Sequence, residues 1–134
     1  MEPRYAVYYA PPAHGELWRL GCRWLGRDAA RDEALEQPSV PGSEARRIFA
    51  LTAAPRAYGF HATLKPPFRL RDGMDERNVD AALRALADRQ RRFELPALRV
   101  TRLGGFLALS TAQTHATTRA LADACVAQLD GLRR

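Results

Sequence analysis

Two proline pairs set the limits on what this chain can build. Proline lacks a backbone N–H and fixes φ, so adjacent prolines interrupt both ladders and helices. Arg4 to Ala10 (RYAVYYA) is rich in strand formers and closes at Pro11-Pro12. A second β run, from about Arg56 to Lys65, closes at Pro66-Pro67. Pro38, Pro41, Pro55 and Gly104-Gly105 divide the remainder. Elements must therefore be short, and no apolar run approaches the roughly 18–20 residues that cross a bilayer. At 134 residues the expectation is a single domain over 1–134 with no membrane segment.

Between these breaks the spacing of apolar residues assigns the elements. Leu17, Leu20, Trp24 and Leu25 recur at helical intervals and Gly26 stops them. Residues 27–42 carry mixed charges with Pro38, Pro41 and Gly42, and are predicted to form a long, mobile surface loop. Ser43 is placed to cap a short helix holding Ile48, Phe49 and Leu51, which Pro55 ends. Asp75 can cap the next helix, with Val79, Ala82, Leu83 and Leu86 inward and Asp80, Arg84, Asp88 and Arg91 toward water. Leu98 to Leu103 and Phe106 to Ser110 flank Gly104-Gly105 as a hairpin. A last helix from near Thr114 buries Leu121, Cys125, Leu129 and Leu132. The order β-α-α-β-α-β-β-α predicts an α+β fold, a mostly antiparallel sheet with helices on one face.

Composition narrows the class. Apolar residues at 46% and charged residues at 27% are globular usage. The net charge is +6, and of 21 basic side chains only Lys65 is a lysine. So many arginines over the whole chain admit two readings, a solvated surface or affinity for phosphate and nucleic acid. The opening Met1-Glu2-Pro3-Arg4-Tyr5 has no basic head before an apolar stretch, so no secretory leader is expected. Cys22 and Cys125, inside helical patterns, are expected as buried reduced thiols of a cytoplasmic protein.

The chemistry concentrates in Tyr58-Gly59-Phe60-His61-Ala62-Thr63-Leu64-Lys65. On a strand, alternate residues share a face, so Phe60, Ala62 and Leu64 point one way and His61, Thr63 and Lys65 the other. An imidazole, a hydroxyl and an ammonium at steps of about 6.6–7 Å suit phosphoryl chemistry. The imidazole can move a proton near neutrality, the hydroxyl can bind a phosphate oxygen, and the ammonium can stabilise its charge. The same residues also fit a plain solvated strand face. No histidine, cysteine or carboxylate stands near His61 at metal-ligand spacing, so neither metal nor other cofactor is expected. Trp18 and Trp24 fit a core better than a base-stacking surface. Phe106 fits either packing or the wall of a nucleobase pocket. His14 lies in a loop and is expected to face solvent.

Phe60-His61-Ala62-Thr63-Leu64 resembles the His-h-Thr/Ser-h motif (h apolar) of the 2H phosphoesterase superfamily, which includes 2′-5′ RNA ligase-like proteins and cyclic nucleotide phosphodiesterases. Arg4 to Pro12, Leu17-Trp18, Trp24 to Asp28, Tyr58 to Pro67 and Arg102 to Leu109 are similar to a branch encoded in phosphonate-utilisation operons. The resemblance implies two pseudo-symmetric lobes across a cleft, each supplying one motif. One histidine is then general base and the other general acid on a cyclic or linear phosphodiester, without a metal. Carried onto this chain, His61 and Thr63 form the first motif and Lys65 and Tyr58 are adjacent substrate contacts. The other His-x-Thr, His115-Ala116-Thr117, is a candidate second motif near a hairpin-helix junction, but it lacks apolar alternation, and Thr114 or Thr117 as a helix cap accounts for it better.

With one motif in strand context, the chain is expected to be the N-terminal part of a longer bilobal protein. Alternatively, two copies in a homodimer could face each other. The expected function is a 2H phosphodiesterase for a small phosphoester, such as a phosphorylated ribose, or for an RNA end. The alternatives are a non-catalytic RNA- or nucleotide-phosphate-binding module and an accessory interaction protein.

Overall fold

The computed structural model describes residues 3–134, so part of the opening segment read for a leader lies outside the described residues. The fold is α+β, and among the described residues the β structure lies in three two-stranded sheets. The residues group into two compact units, Tyr8–Ala62 and a second made of Thr63–Arg134 with the N-terminal residues up to Val7. The chain passes between them inside β1 (Tyr5–Tyr9) and β4 (Ala62–Phe68), which pair with each other. Among the described residues no helix is long and apolar enough to cross a membrane.

In the 8–62 unit, α1 (Glu16–Leu25) buries Trp18, Gly21, Cys22 and Leu25. This stripe differs from the expected one: Leu20 and Trp24 are exposed. The reason lies at Gly21, where any side-chain carbon would overlap the Phe60 ring, so α1 turns its glycine face to that aromatic. The predicted loop 27–42 contains a small antiparallel hairpin, β2 (Arg27–Asp28) with β3 (Glu33–Ala34). The following Gln37 donates from Nε2 to Trp24 O at 2.7 Å and to Thr52 Oγ1 at 2.9 Å. Next come α2 (Ala45–Leu51), whose N-cap position is Glu44 rather than Ser43 and carries no side-chain capping bond, and α3 (Ala53–Tyr58). Pro55 therefore does not end a helix; it sits in the first turn of α3, where its missing N–H has no carbonyl to serve. Residues 56–58, expected in a strand, are helical for that reason.

The 63–134 unit holds the larger apolar core. Val7, Leu86, Cys125 and Leu129 are buried, with Leu64, Val79, Ala82, Leu83, Leu121 and Leu132 packed on them. These come from β1, β4, α4 (Glu76–Ala87), α5 (Ala116–Leu129) and the 3₁₀ turn Asp130–Leu132, and the stripes match those expected from spacing. The hairpin β5 (Leu98–Leu103) and β6 (Phe106–Thr111) runs in the register set by its glycine turn, from Leu103 opposite Phe106 to Leu98 opposite Thr111. Strand β4 does not stop at Pro66-Pro67 but runs through them. Successive N–H positions face opposite sides of a strand, so in a two-stranded sheet one of the two prolines faces the free edge and costs no ladder bond.

Candidate functional site

His61 stands just before β4, where the chain leaves α3 through Gly59 and Phe60. The turn needs its glycine. Gly59 has φ 82°, and a Cβ there would lie 2.5 Å from the Ala29 Cβ. The end of α3 is held by Arg27, whose Nη1 donates to the carbonyls of Arg56 at 3.2 Å and Ala57 at 3.0 Å. Arg27 is fixed in turn by two hydrogen bonds to Asp32 Oδ1, at 3.1 and 2.7 Å. The backbone that presents His61 is thus tied to the β2–β3 hairpin.

The imidazole itself has two constraints. Its ring stacks on Tyr8 with centroids 3.9 Å apart and planes inclined by 28°. Its Nδ1 lies 2.9 Å from the Gly59 carbonyl. A carbonyl only accepts, so Nδ1 must carry the proton in that bond and Nε2 is the nitrogen that gains or loses one. The half-buried ring is therefore oriented and has a defined basic atom. Tyr8, Gly59 and Arg27 were not singled out from the sequence. Of the three, only Gly59, a glycine two residues before a motif histidine, carries a local signal.

The other expected site residues fall on several elements. Thr63 is exposed at the start of β4. Lys65 departs from the expected open face, being only 3% exposed. Its Nζ donates to the Val126 carbonyl at 3.0 Å, lies 3.6 Å from Asp130 Oδ1 and stands 4.9 Å from the centre of the Phe68 ring. The side-chain alternation expected from 60 to 65 breaks because residues 59–61 are not in the strand, while Leu64 and Lys65 both turn toward packed surroundings. Tyr58, at the end of α3, is 65% exposed, and Phe106, beside the hairpin turn, is 71% exposed. His115 itself is the cap of α5, in place of Thr114 or Thr117: its Nδ1 accepts from Thr118 N at 3.4 Å and lies 2.8 Å from Thr118 Oγ1. Its ring stacks on Phe93, and Thr117 is exposed in the first turn of the helix. Of the two tryptophans, Trp18 is buried and Trp24 is not. His14 is exposed.

Comparison with known proteins gives this chain its relatives. Two carry the name ribose 1,5-bisphosphate phosphokinase PhnN. The protein of Laribacter hongkongensis is 43% identical over 130 residues, which are 96% of this chain and 30% of the relative. That of Janthinobacterium sp. (strain Marseille) is 39% identical over 130 residues, 97% of this chain and 29% of the relative. The chain thus spans less than a third of the length of the curated relatives it matches. No solved structure matches. Residues 63–134, more than half of the chain, match a family model described as "Protein of unknown function (DUF1045)", and the chain belongs to that family.

Proposed function

We propose that this chain supplies one histidine and one hydroxyl of a metal-independent phosphodiesterase centre of 2H type. The bond cleaved is a cyclic or 2′-5′ phosphoester, and the class of substrate is a phosphorylated ribose. The supporting observation is the Nδ1–H bond of His61 to the Gly59 carbonyl, which leaves Nε2 as the proton-accepting atom. In the step, Nε2 takes a proton from an attacking water as its oxygen bonds to phosphorus. The bond from phosphorus to the leaving oxygen breaks, and a second histidine protonates that oxygen. The Thr63 hydroxyl donates to a non-bridging oxygen, and Tyr58 and Phe106 are substrate contacts of the same reading. The second histidine comes from a second lobe of a longer, bilobal chain or from a second copy.

The relatives' printed name supports the substrate class, and it fits the resemblance to proteins of phosphonate operons. It does not lend this chain a kinase mechanism. The match covers less than a third of those relatives, so their kinase activity is not carried over. A cytoplasmic location, where phosphorylated sugars are handled, belongs to the same reading.

Mixing the protein with a 2′,3′-cyclic nucleotide and with a ribose cyclic phosphate, with and without EDTA, tests the proposal. Turnover should persist in EDTA and fall about 10²–10⁴-fold in His61→Ala. Activity unchanged in that variant sinks it. A second reading, a phosphate-binding module without turnover, is favoured by the use of His115 as a helix cap. Salt-sensitive binding with no product in either protein points there.

A further inference from the structure

The 8–62 unit contains an open depression of about 350 Å³ between α1 and the β2–β3 hairpin, on residues the phosphodiesterase reading does not use. Three arginines line it, Arg19 and Arg23 from α1 and Arg31 from the hairpin turn. Among the described residues none of their three side chains has a hydrogen-bond or ion-pair partner. Elsewhere among the unit's described residues Arg47 also has no side-chain partner, whereas Arg27 pairs with Asp32, Arg46 with Glu44, and Arg56 binds carbonyls and covers Phe49. Arg19 and Arg23 are four residues apart on one helix face, a spacing at which like charges destabilise the helix. An anion between the three would relieve that repulsion.

Two carboxylates, Asp28 and Glu36, border the same depression without pairing to the arginines. Asp28 uses one oxygen to accept from Ala30 N at 2.9 Å, which fixes the turn carrying Arg31, and the Arg27–Asp32 pair closes that turn from outside. Arg31 is therefore held on a pre-shaped hairpin, which lowers the ordering cost of binding. Cys22 also lines it, a buried thiol raised above the ordinary thiol range by desolvation and so uncharged near neutrality. Guanidiniums recognise phosphate through charge-assisted bonds, and carboxylates accept from hydroxyl groups.

We infer that this depression is a binding site for a phosphorylated sugar, its phosphomonoester among Arg19, Arg23 and Arg31 and its hydroxyls toward Asp28 and Glu36. It is a site separate from His61 and does not depend on the proposed phosphodiesterase activity. The volume lies at the lower end of small-molecule sites, which suits a sugar phosphate.

Titration of the protein with ribose 5-phosphate, inorganic phosphate and ribose, followed by calorimetry and amide NMR, tests it. Ribose 5-phosphate should bind and shift the amides of α1 and of residues 28–36, phosphate should bind more weakly, and ribose should not bind. Each of Arg19→Gln, Arg23→Gln and Arg31→Gln should weaken ribose 5-phosphate at these amides about tenfold, and the triple variant should remove their shifts. Glu36→Gln should weaken ribose 5-phosphate and leave inorganic phosphate unchanged. All four positions are at the surface, so the fold should survive these changes. Wild-type binding by the triple variant overturns the site. So does equal weakening by Arg89, Arg91 and Arg92→Gln at the other unit, which would mark a general attraction to cations. Equal affinity for the two phosphates with Glu36→Gln silent overturns the assignment to a sugar.

Discussion

The ammonium of Lys65 sits where the backbone of α5 runs short of donors. In a regular helix the Val126 carbonyl would accept from the N–H four residues on, but Asp130 N turns instead to Ala127 O as the 3₁₀ turn begins. Lys65 Nζ takes that vacancy at 3.0 Å and places a cation at a helix C-terminus, where the dipole favours one. Asp130, 3.6 Å away and half-exposed, adds little because water screens it. Lys65→Met should therefore lower stability by about 1–3 kcal/mol in urea denaturation followed by circular dichroism, the worth of a hydrogen bond from a charged group. Lys65→Arg should not restore it, since a planar guanidinium does not fit a site built for a compact ammonium. A stability equal to wild type in Lys65→Met would show that desolvation cancels the bond. From the sequence, alternation put Lys65 beside His61 and Thr63. What removed it was the end of a helix some 60 residues later in the chain, and no local spacing encodes that. The imidazole's constraints were hidden for a related reason. Gly59 is near in sequence, but Tyr8 and Arg27 reach His61 and its turn only through the fold.

At the scale of elements, what is local in sequence was legible. The α4 stripe follows from its spacing, and Asp75 caps it as expected: its carboxylate accepts from Arg77 N at 2.9 Å and Asn78 N at 3.3 Å. Asn78 Oδ1 returns the contact by accepting from Asp75 N at 2.9 Å, closing a capping box with asparagine at its far corner. Asp75→Ala should cost about 1 kcal/mol in the same denaturation measurement, and Asp75→Ser should recover most of it. A cost no larger than that of an exposed Asp80→Ala change would mean that the packing of α4 against α5 holds the first turn unaided. The β5–β6 hairpin was legible for the same reason, since Gly104-Gly105 sets both turn and register. Less legible was α3, where Pro55 reads as a stop until its place in a first turn is known. The α1 stripe was misplaced because its inner face is chosen by Phe60, which meets Gly21 from a distant part of the chain.

At the scale of the whole molecule, the division into two units leaves one buried thiol in each, Cys22 in the 8–62 unit and Cys125 in the other. Both were expected from the sequence as buried and reduced, and both are 1% exposed. Desolvation raises Cys22, with Asp28 adding to the effect and a backbone bond from Ala29 opposing it. Desolvation also raises Cys125, partly offset by the Lys65 ammonium. A thiol raised in the folded state holds its proton more tightly there than in the unfolded chain. Its contribution to stability is complete below the ordinary thiol range and is lost as pH climbs through that range toward the folded value. Stability should thus fall as pH rises into and above the ordinary thiol range, in each unit through its own cysteine. The two tryptophans, Trp18 and Trp24, both lie in the 8–62 unit, so tryptophan fluorescence follows that unit alone. The urea midpoint read by fluorescence should drop with pH in the wild type, and Cys22→Ala should remove much of the drop even where it lowers the midpoint at neutral pH. Cys125→Ala should leave that slope in place and flatten the alkaline loss in far-UV circular dichroism, to which α4 and α5 contribute most of the helix. If Cys22→Ala keeps the full slope, thiol burial is not its cause. If Cys125→Ala flattens the fluorescence slope as strongly, the two units unfold as one.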